Sequence, residues 1–180
     1  LMGLAPYGDP VYHDLILQKI LDLKEDGSFR IRMEYFNFAH GLTMTNARFA
    51  SLFGGVRRGP ETPITKREMD LAASIQTVTE EIIFRLARTA KEITGKKNLC
   101  LAGGVALNCV ANGKLLREQI FDDIWIQPAA GDAGGALGAA YMVNYQLLDN
   151  DRVICKTDSM KASRLGPQCT AEQIETTLIS

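Results

Sequence analysis

The apolar positions change period several times along the chain, and each change marks an element. Val11 to Lys24 places Leu15, Ile16, Ile20 and Leu23 at helical spacing, and Asp26-Gly27 supplies a stop and a turn. Ser28 to Phe38 alternates instead, with Phe29, Ile31 and Met33 on one side and Arg30, Arg32 and Glu34 on the other. That is the pattern of a half-buried strand. Phe36 to Gly59 is rich in aromatic residues, Asn and Gly, and a second strand with a loop is expected there. Tyr35, Phe36 and Phe38 are expected in the core.

Ile64 to Gly95 predicts the clearest helix. Ile75, Val78, Ile82, Leu86 and Ile93 form an apolar stripe. Thr65 is the expected N-cap with Glu68 as its capping-box partner, and Ile64 and Met69 bracket that cap. Gly95 closes the helix, with Lys91, Lys96 and Lys97 near its negative end. Next come a strand at Asn98 to Ala102, a glycine turn and a helix from Val105 to Glu118. A second strand, Asp123 to Gln127, a second glycine turn, Gly131 to Gly135, and a helix from Ala136 to Leu148 repeat the order. A β-α-β-α unit of this kind favours parallel neighbouring strands with a right-handed crossover. Both glycine turns then lie at the carboxyl edge of the sheet, where open α/β sheets bind ligands. Asp149 to Gly166 is polar and turn-rich and reads as a linker.

Composition narrows the class. A chain of 180 residues with 46% hydrophobic and 23% charged residues is ordinary and globular. A formal net charge of -1 gives no support for a nucleic-acid partner. None of the four cysteines sits in a C-x-x-C pair, so zinc and redox spacings are absent. Cys100 and Cys109 are expected as small core residues. No apolar run has the length of a membrane span, and a cytoplasmic location is expected. Leu1 precedes Met2, and Thr170 to Ser180 opens a helix with Thr170 and Gln173 at capping-box spacing. The expectation is a piece of a longer protein.

The glycine turns are where chemistry is expected. A helix N-terminus offers unpaired N–H groups and about half a positive charge. Gly103-Gly104 would let a phosphate or sugar approach the backbone, and Asn108, about one turn into the helix, would add an amide. Asn112 follows on the same face. Tight helix–strand packing with two solvated asparagines is the competing explanation. Asp132 at the second turn can cap its helix or ligate a cation, although one carboxylate does not hold a metal alone. His13, His40 and the Arg57-Arg58 loop are weaker candidates.

Several motifs together resemble the NodU/CmcH-type O-carbamoyltransferases. They are MGLAPYG at Met2 to Gly8, EYF at Glu34 to Phe36, LFGGVRRGPETPIT at Leu52 to Thr65 and DLAASIQ at Asp70 to Gln76. LAGGVALNCVANGKL at Leu101 to Leu115, QPAAGDAGGALGAA at Gln127 to Ala140 and LGP at Leu165 to Pro167 complete the set. The resemblance implies an α/β fold, the second lobe of an actin-like, sugar-kinase-like (ribonuclease H-like) ATPase domain, with a β-α-β-α core and a β-rich insertion. It assigns residues 1–150 to that lobe and 151–180 to a linker and the start of a C-terminal region. It implies transfer of a carbamoyl group from carbamoyl adenylate, made from carbamoyl phosphate and ATP by a separate YrdC-like domain, to an acceptor hydroxyl.

In that family the asparagine corresponding to Asn108 contacts the nucleoside, Gly103 and Gly104 approach its phosphate or ribose, and Gly8 lines the same site with Gly131 of the second turn. Asp132 corresponds to a ligand of a divalent metal, iron-like or magnesium, whose other ligands are histidines outside this chain. A cation there would stabilise charge developing during transfer. This chain alone is therefore expected to be inactive, and an exposed apolar face with homo-oligomeric association is expected of an isolated lobe. A tRNA threonylcarbamoyl transferase relative or a non-catalytic nucleotide-binding regulatory module are the alternatives. The LFGGVRRGPE stretch and the trailing LGP favour the O-carbamoyl branch.

Overall fold

The computed structural model describes residues 1–155, 157–158, 160, 163 and 166–179. Leu165 of the LGP motif and Ser180 of the last expected helix lie outside the described residues. The chain divides into two compact units, Leu1–Leu99 with Asn108–Ile124, and Cys100–Leu107 with Trp125–Ser180. In chain order the elements are α1 (His13–Leu15), β1 (Leu21–Leu23), β2 (Phe29–Ile31), α2 (Ala47–Leu52) and α3 (Lys66–Thr94). They continue with β3 (Asn98–Leu101), α4 (Cys109–Arg117), β4 (Asp123–Ile126), α5 (Asp132–Met142) and α6 (Ala171–Ile179). β1 pairs with β2 and β3 with β4, so the fold is mixed α/β with two small sheets.

The first unit is organised on α3. Its capping box forms as expected, with the Thr65 N–H donating to Glu68 Oε2 at 2.9 Å. The Thr65 hydroxyl and then Arg67 hold the Glu68 carboxyl down to about 2. Gly95 ends the helix in the left-handed region, φ 61°, where its N–H reaches the Lys91 carbonyl. Val78 is fully buried with Ile16, Ile20, Leu21 and Phe53, and Ile75 and Ile82 pack against that cluster. Leu86 and Ile93, further along the expected stripe, are exposed.

Several local expectations are corrected. The helix beginning at α1 continues as a π-type turn, Ile16–Ile20, and stops there. Leu21 to Leu23 instead take up antiparallel ladder bonds, Leu21 opposite Ile31 and Leu23 opposite Phe29. The cause is the turn: the Asp26 carboxylate accepts from the Ser28 N–H and hydroxyl, and Gly27 adopts φ 86°, so the chain returns on itself. The strand predicted from Ser28 to Phe38 shortens to β2, and Phe29, Ile31 and Met33 are exposed rather than half-buried. Among the described residues this sheet has two strands.

Asn46 starts a helix that the pattern did not predict. Its Oδ1 accepts from the Arg48 and Phe49 N–H groups, so α2 stands where a strand and loop were expected. The segment ahead of α3 is therefore mixed rather than β-rich. Phe36 bridges Thr45 and packs on the core with Tyr35, whereas Phe38 is exposed.

β3, α4, β4 and α5 follow the predicted order. The bonds Asp122 N–H to Lys97 O and Gln127 N–H to Leu101 O advance in the same direction along both strands, as in a parallel pair. Cys100 and Cys109 are exposed, not core residues. Along β3 the alternation puts Cys100 on the same side as exposed Asn98. In the second unit α5 buries none of its residues, and Tyr141 and Met142 stand exposed near its end. Among the described residues no helix is long and apolar enough to cross a membrane.

Candidate functional site

In the first unit, the PYG loop is fastened along α3. Ala5–Tyr7 forms a single 3-10 turn, closed by the Gly8 N–H on the Ala5 carbonyl at 3.2 Å. The Asp9 N–H then donates to Asp70 Oδ1 at 2.7 Å, and the Tyr12 N–H to Ser74 Oγ at 3.0 Å. Lys66 bridges Asp9 and Asp70 at 2.6 and 2.7 Å. The Asp9 N–H, and secondly Lys66, hold the Asp70 carboxyl below the usual carboxylate range. Gly8 lies so close to α3 that a Cβ there would overlap the Met69 carbonyl. Its glycine identity is explained by that approach.

Asn108 is the N-cap of α4 rather than a residue one turn inside it. Gly104–Leu107 forms a 3-10 turn first, which delays the helix start. Asn108 Oδ1 accepts from the Ala111 N–H at 3.1 Å and from Gln76 Nε2 at 3.2 Å. Asn108 Nδ2 donates to Gln76 Oε1 at 2.9 Å. Gln76 Nε2 also donates to Glu80 Oε1 at 2.9 Å, and Lys114 reaches Glu80 Oε2 at 2.5 Å. Gln76 is 7% and Glu80 5% exposed. Gln76, Glu80 and Lys114 line a cavity of about 240 Å³ with Met2, Pro6 and Gly8. Asn112, which the competing packing explanation placed in solvent, is buried.

The relay of Gln76, Glu80 and Lys114 was not foreseen. Gln76 and Glu80 are four residues apart on α3, a spacing that puts both on one face. They flank the apolar stripe, where polar residues ordinarily read as solvated. Lys114, five residues beyond Cys109 in α4, gave no signal of its own.

In the second unit, the two glycine turns meet. The Gly103 N–H donates to the Ala130 carbonyl at 2.9 Å. Gly103 adopts φ 97°, a conformation that L side chains rarely adopt. Gly104 lacks that backbone conformation, and as at Gly103, among the described residues nothing lies within 4 Å of where its Cβ would stand. Gly131 is the N-cap of α5, and its Cβ would meet Gly104 Cα at an ordinary 3.8 Å. Asp132 is the first residue of α5, exposed, so it does not cap the helix. Among the described residues no three His, Cys, Asp or Glu side chains group as a metal site. The residues present therefore do not fit a metal by themselves.

Of the remaining candidates, Arg58 and His13 are engaged locally. Arg58 donates to the Thr62 carbonyl, and Arg67 to Val56 O and Glu68. His13 Nδ1 pairs with Asp14 at 2.8 Å and Nε2 with Glu81 at 3.0 Å, while Arg85 holds the other Glu81 oxygen at 2.5 Å. Asp14 first, and then Glu81 against the opposing effect of burial, raise the His13 pKa above 6.5. A raised folded-state pKa contributes stability that is full below the unfolded value and is lost as pH rises through the folded value. The His13 ring is therefore expected to titrate above 6.5 by NMR, with stability falling as pH climbs through that midpoint. A midpoint at or below 6.5 would contradict the two contacts.

The chain belongs to the Carbamoyltransferase N-terminus family, which matches residues 1–141. The uncharacterized protein sll1178 of Synechocystis sp. is 65% identical over 178 residues, 99% of this chain and 29% of that protein. Nodulation protein NolNO of Sinorhizobium fredii is 46% identical over 146 residues, 81% of this chain and 20% of that protein. Nodulation protein NolO of Bradyrhizobium diazoefficiens is 42% identical over the same length, 81% of this chain and 25% of that protein. The chain spans less than a third of the length of these curated relatives.

Proposed function

We propose that this chain is the nucleotide-binding part of an O-carbamoyltransferase. The intact protein would move a carbamoyl group from carbamoyl adenylate, itself made from carbamoyl phosphate and ATP, to an acceptor hydroxyl. Family membership supports the transferase class. The observation that carries the nucleotide reading is the open backbone at Gly104. Close packing gives no reason for glycine there, because among the described residues a Cβ would meet nothing within 4 Å. Close approach of a ligand to bare backbone does give one.

In this reading Gly103, Gly104 and Gly131 present backbone to phosphate or ribose, while Gly8 and Asn108 belong to the nucleoside-facing part. An actin-like ATPase lobe is the corresponding fold. Asp132 would contribute one carboxylate to a divalent metal whose further ligands come from outside this chain, and the chain alone would be inactive. The protein's own part in transfer is positioning: fixing the nucleotide aligns its carbamoyl group with the hydroxyl and removes much of the entropic barrier.

Calorimetric titration of the intact protein with ATP and AMP tests the reading. Asn108→Ala is expected to weaken binding by about 1–3 kcal/mol, the range for a lost buried polar partner. Unchanged affinity would remove Asn108 from the site.

A further inference from the structure

We propose that Gln76 and Glu80 fix the polarity of Asn108, so that its side chain offers the nucleotide one N–H donor and no acceptor. The inference rests on the reading that Asn108 faces the nucleotide. A primary amide carries two N–H groups and an oxygen with two lone pairs, and which end faces which neighbour is decided by the network. Here both ends of the network decide it. The Ala111 backbone N–H only donates, so Asn108 must turn Oδ1 toward it. The Glu80 carboxylate only accepts, so Gln76 must turn Nε2 toward it. Lys114 Nζ donates to the other oxygen of that carboxylate, Oε2, at 2.5 Å.

These two constraints act from opposite ends of the relay and agree. Gln76 Nε2 spends one hydrogen on Glu80 and the other on Asn108 Oδ1. Asn108 Oδ1 then has both lone pairs engaged, by Ala111 and Gln76. Asn108 Nδ2 spends one hydrogen on Gln76 Oε1. The second Nδ2 hydrogen is what remains for a ligand. Reversing the amide would set Nδ2 against the Ala111 N–H and against Gln76 Nε2, donor against donor in a buried place. The ligand atom that meets Asn108 is therefore a hydrogen-bond acceptor, a ribose oxygen or an unprotonated ring nitrogen of the base. An exocyclic amino group is excluded. Gln76, Glu80 and Lys114 are positioning residues, acting through Asn108.

The test is nucleotide discrimination in the intact protein, measured by calorimetry with ATP, its 2′-deoxy and 3′-deoxy forms, and its 1-, 3- and 7-deaza forms. One analogue lacking the acceptor is expected to bind roughly tenfold or more weakly than ATP, since a site built around a hydrogen bond rejects the analogue without it. A deoxy form in that role identifies the ribose, and a deaza form identifies the base. Asn108→Ala is expected to abolish that discrimination. Gln76→Met, which leaves the Asn108 amide held from the Ala111 end alone and opens a lone pair on Oδ1, is expected to lower it to about threefold or less. Glu80→Gln keeps the side-chain shape but removes the fixed acceptor, and is expected to lower it as well.

If Asn108→Ala leaves ATP affinity unchanged, the nucleotide reading of Asn108 itself falls. If Asn108→Ala weakens ATP but Gln76→Met keeps wild-type discrimination, the polarity lock falls and the reading stands. Absence of any discriminated analogue in the wild-type protein also overturns the lock. Should Gln76→Met fail to fold, Glu80→Gln decides, and wild-type discrimination in it overturns the proposal.

Discussion

Lys114→Met is expected to destabilise the first unit by about 3 kcal/mol, the lower end of the range for breaking a buried ion pair from one side. The partner left behind sets the size. Glu80 is 5% exposed, and losing Lys114 strands its Oε2, with only the Gln76 amide still bonded to the other oxygen. Lys114 itself keeps 45% of its side chain in solvent, which softens the field across the pair and argues against the top of the range. Glu80→Leu combined with Lys114→Met is expected to recover most of the loss, because neither charge is then left alone. Urea denaturation of the single and double variants measures the coupling. A single-variant loss below about 0.5 kcal/mol would mean that Glu80 finds water once Lys114 is gone.

Gly8→Ala is expected to cost about 3 kcal/mol, the upper end for overpacking. A new methyl would overlap the Met69 carbonyl, which is helix backbone and does not swing aside. The loop would have to lift, against the Asp9 N–H bond to Asp70 and the Tyr12 N–H bond to Ser74. Gly104→Ala provides the contrast, since its Cβ meets nothing within 4 Å and folding stability should change little. Melting curves of the two variants, with proteolysis near the PYG loop as a local probe, separate a glycine required by packing from one left open. Equal losses at both positions would undo that distinction.

What was legible in the sequence follows from how local each signal is. α3 was read almost to the residue because its cap, stripe and stop lie within one continuous segment. The order β3, α4, β4, α5 was legible because glycine turns mark each strand end. β1 was read as helix because its helical spacing is real, and only pairing with β2 across the Asp26-Gly27 turn overrides it. α2 was missed because its determinant is one asparagine cap inside a stretch crowded with turn residues. Asn108 was legible as a candidate, but its place at the helix cap depends on the 3-10 turn before it. Gln76 and Glu80 were invisible as site residues because burial of a polar helix flank depends on what packs there: Asn108 and Lys114 come from α4 and its cap, more than 30 residues away.

The double employment of Asn108 limits which residues can replace it over evolutionary time. Capping α4 alone would accept serine, threonine or aspartate nearly as well. Returning the Gln76 amide bond for bond rules out aspartate, which has no hydrogen to give, and the two hydroxyl residues, which are too short to answer both ends. Glutamine has the chemistry but the wrong reach for a cap. Each demand alone is permissive, and together they leave a single amino acid. Drift at this position is therefore expected to require prior loss of either the helix start or the Gln76 pairing, so its identity in any relative reports on both at once.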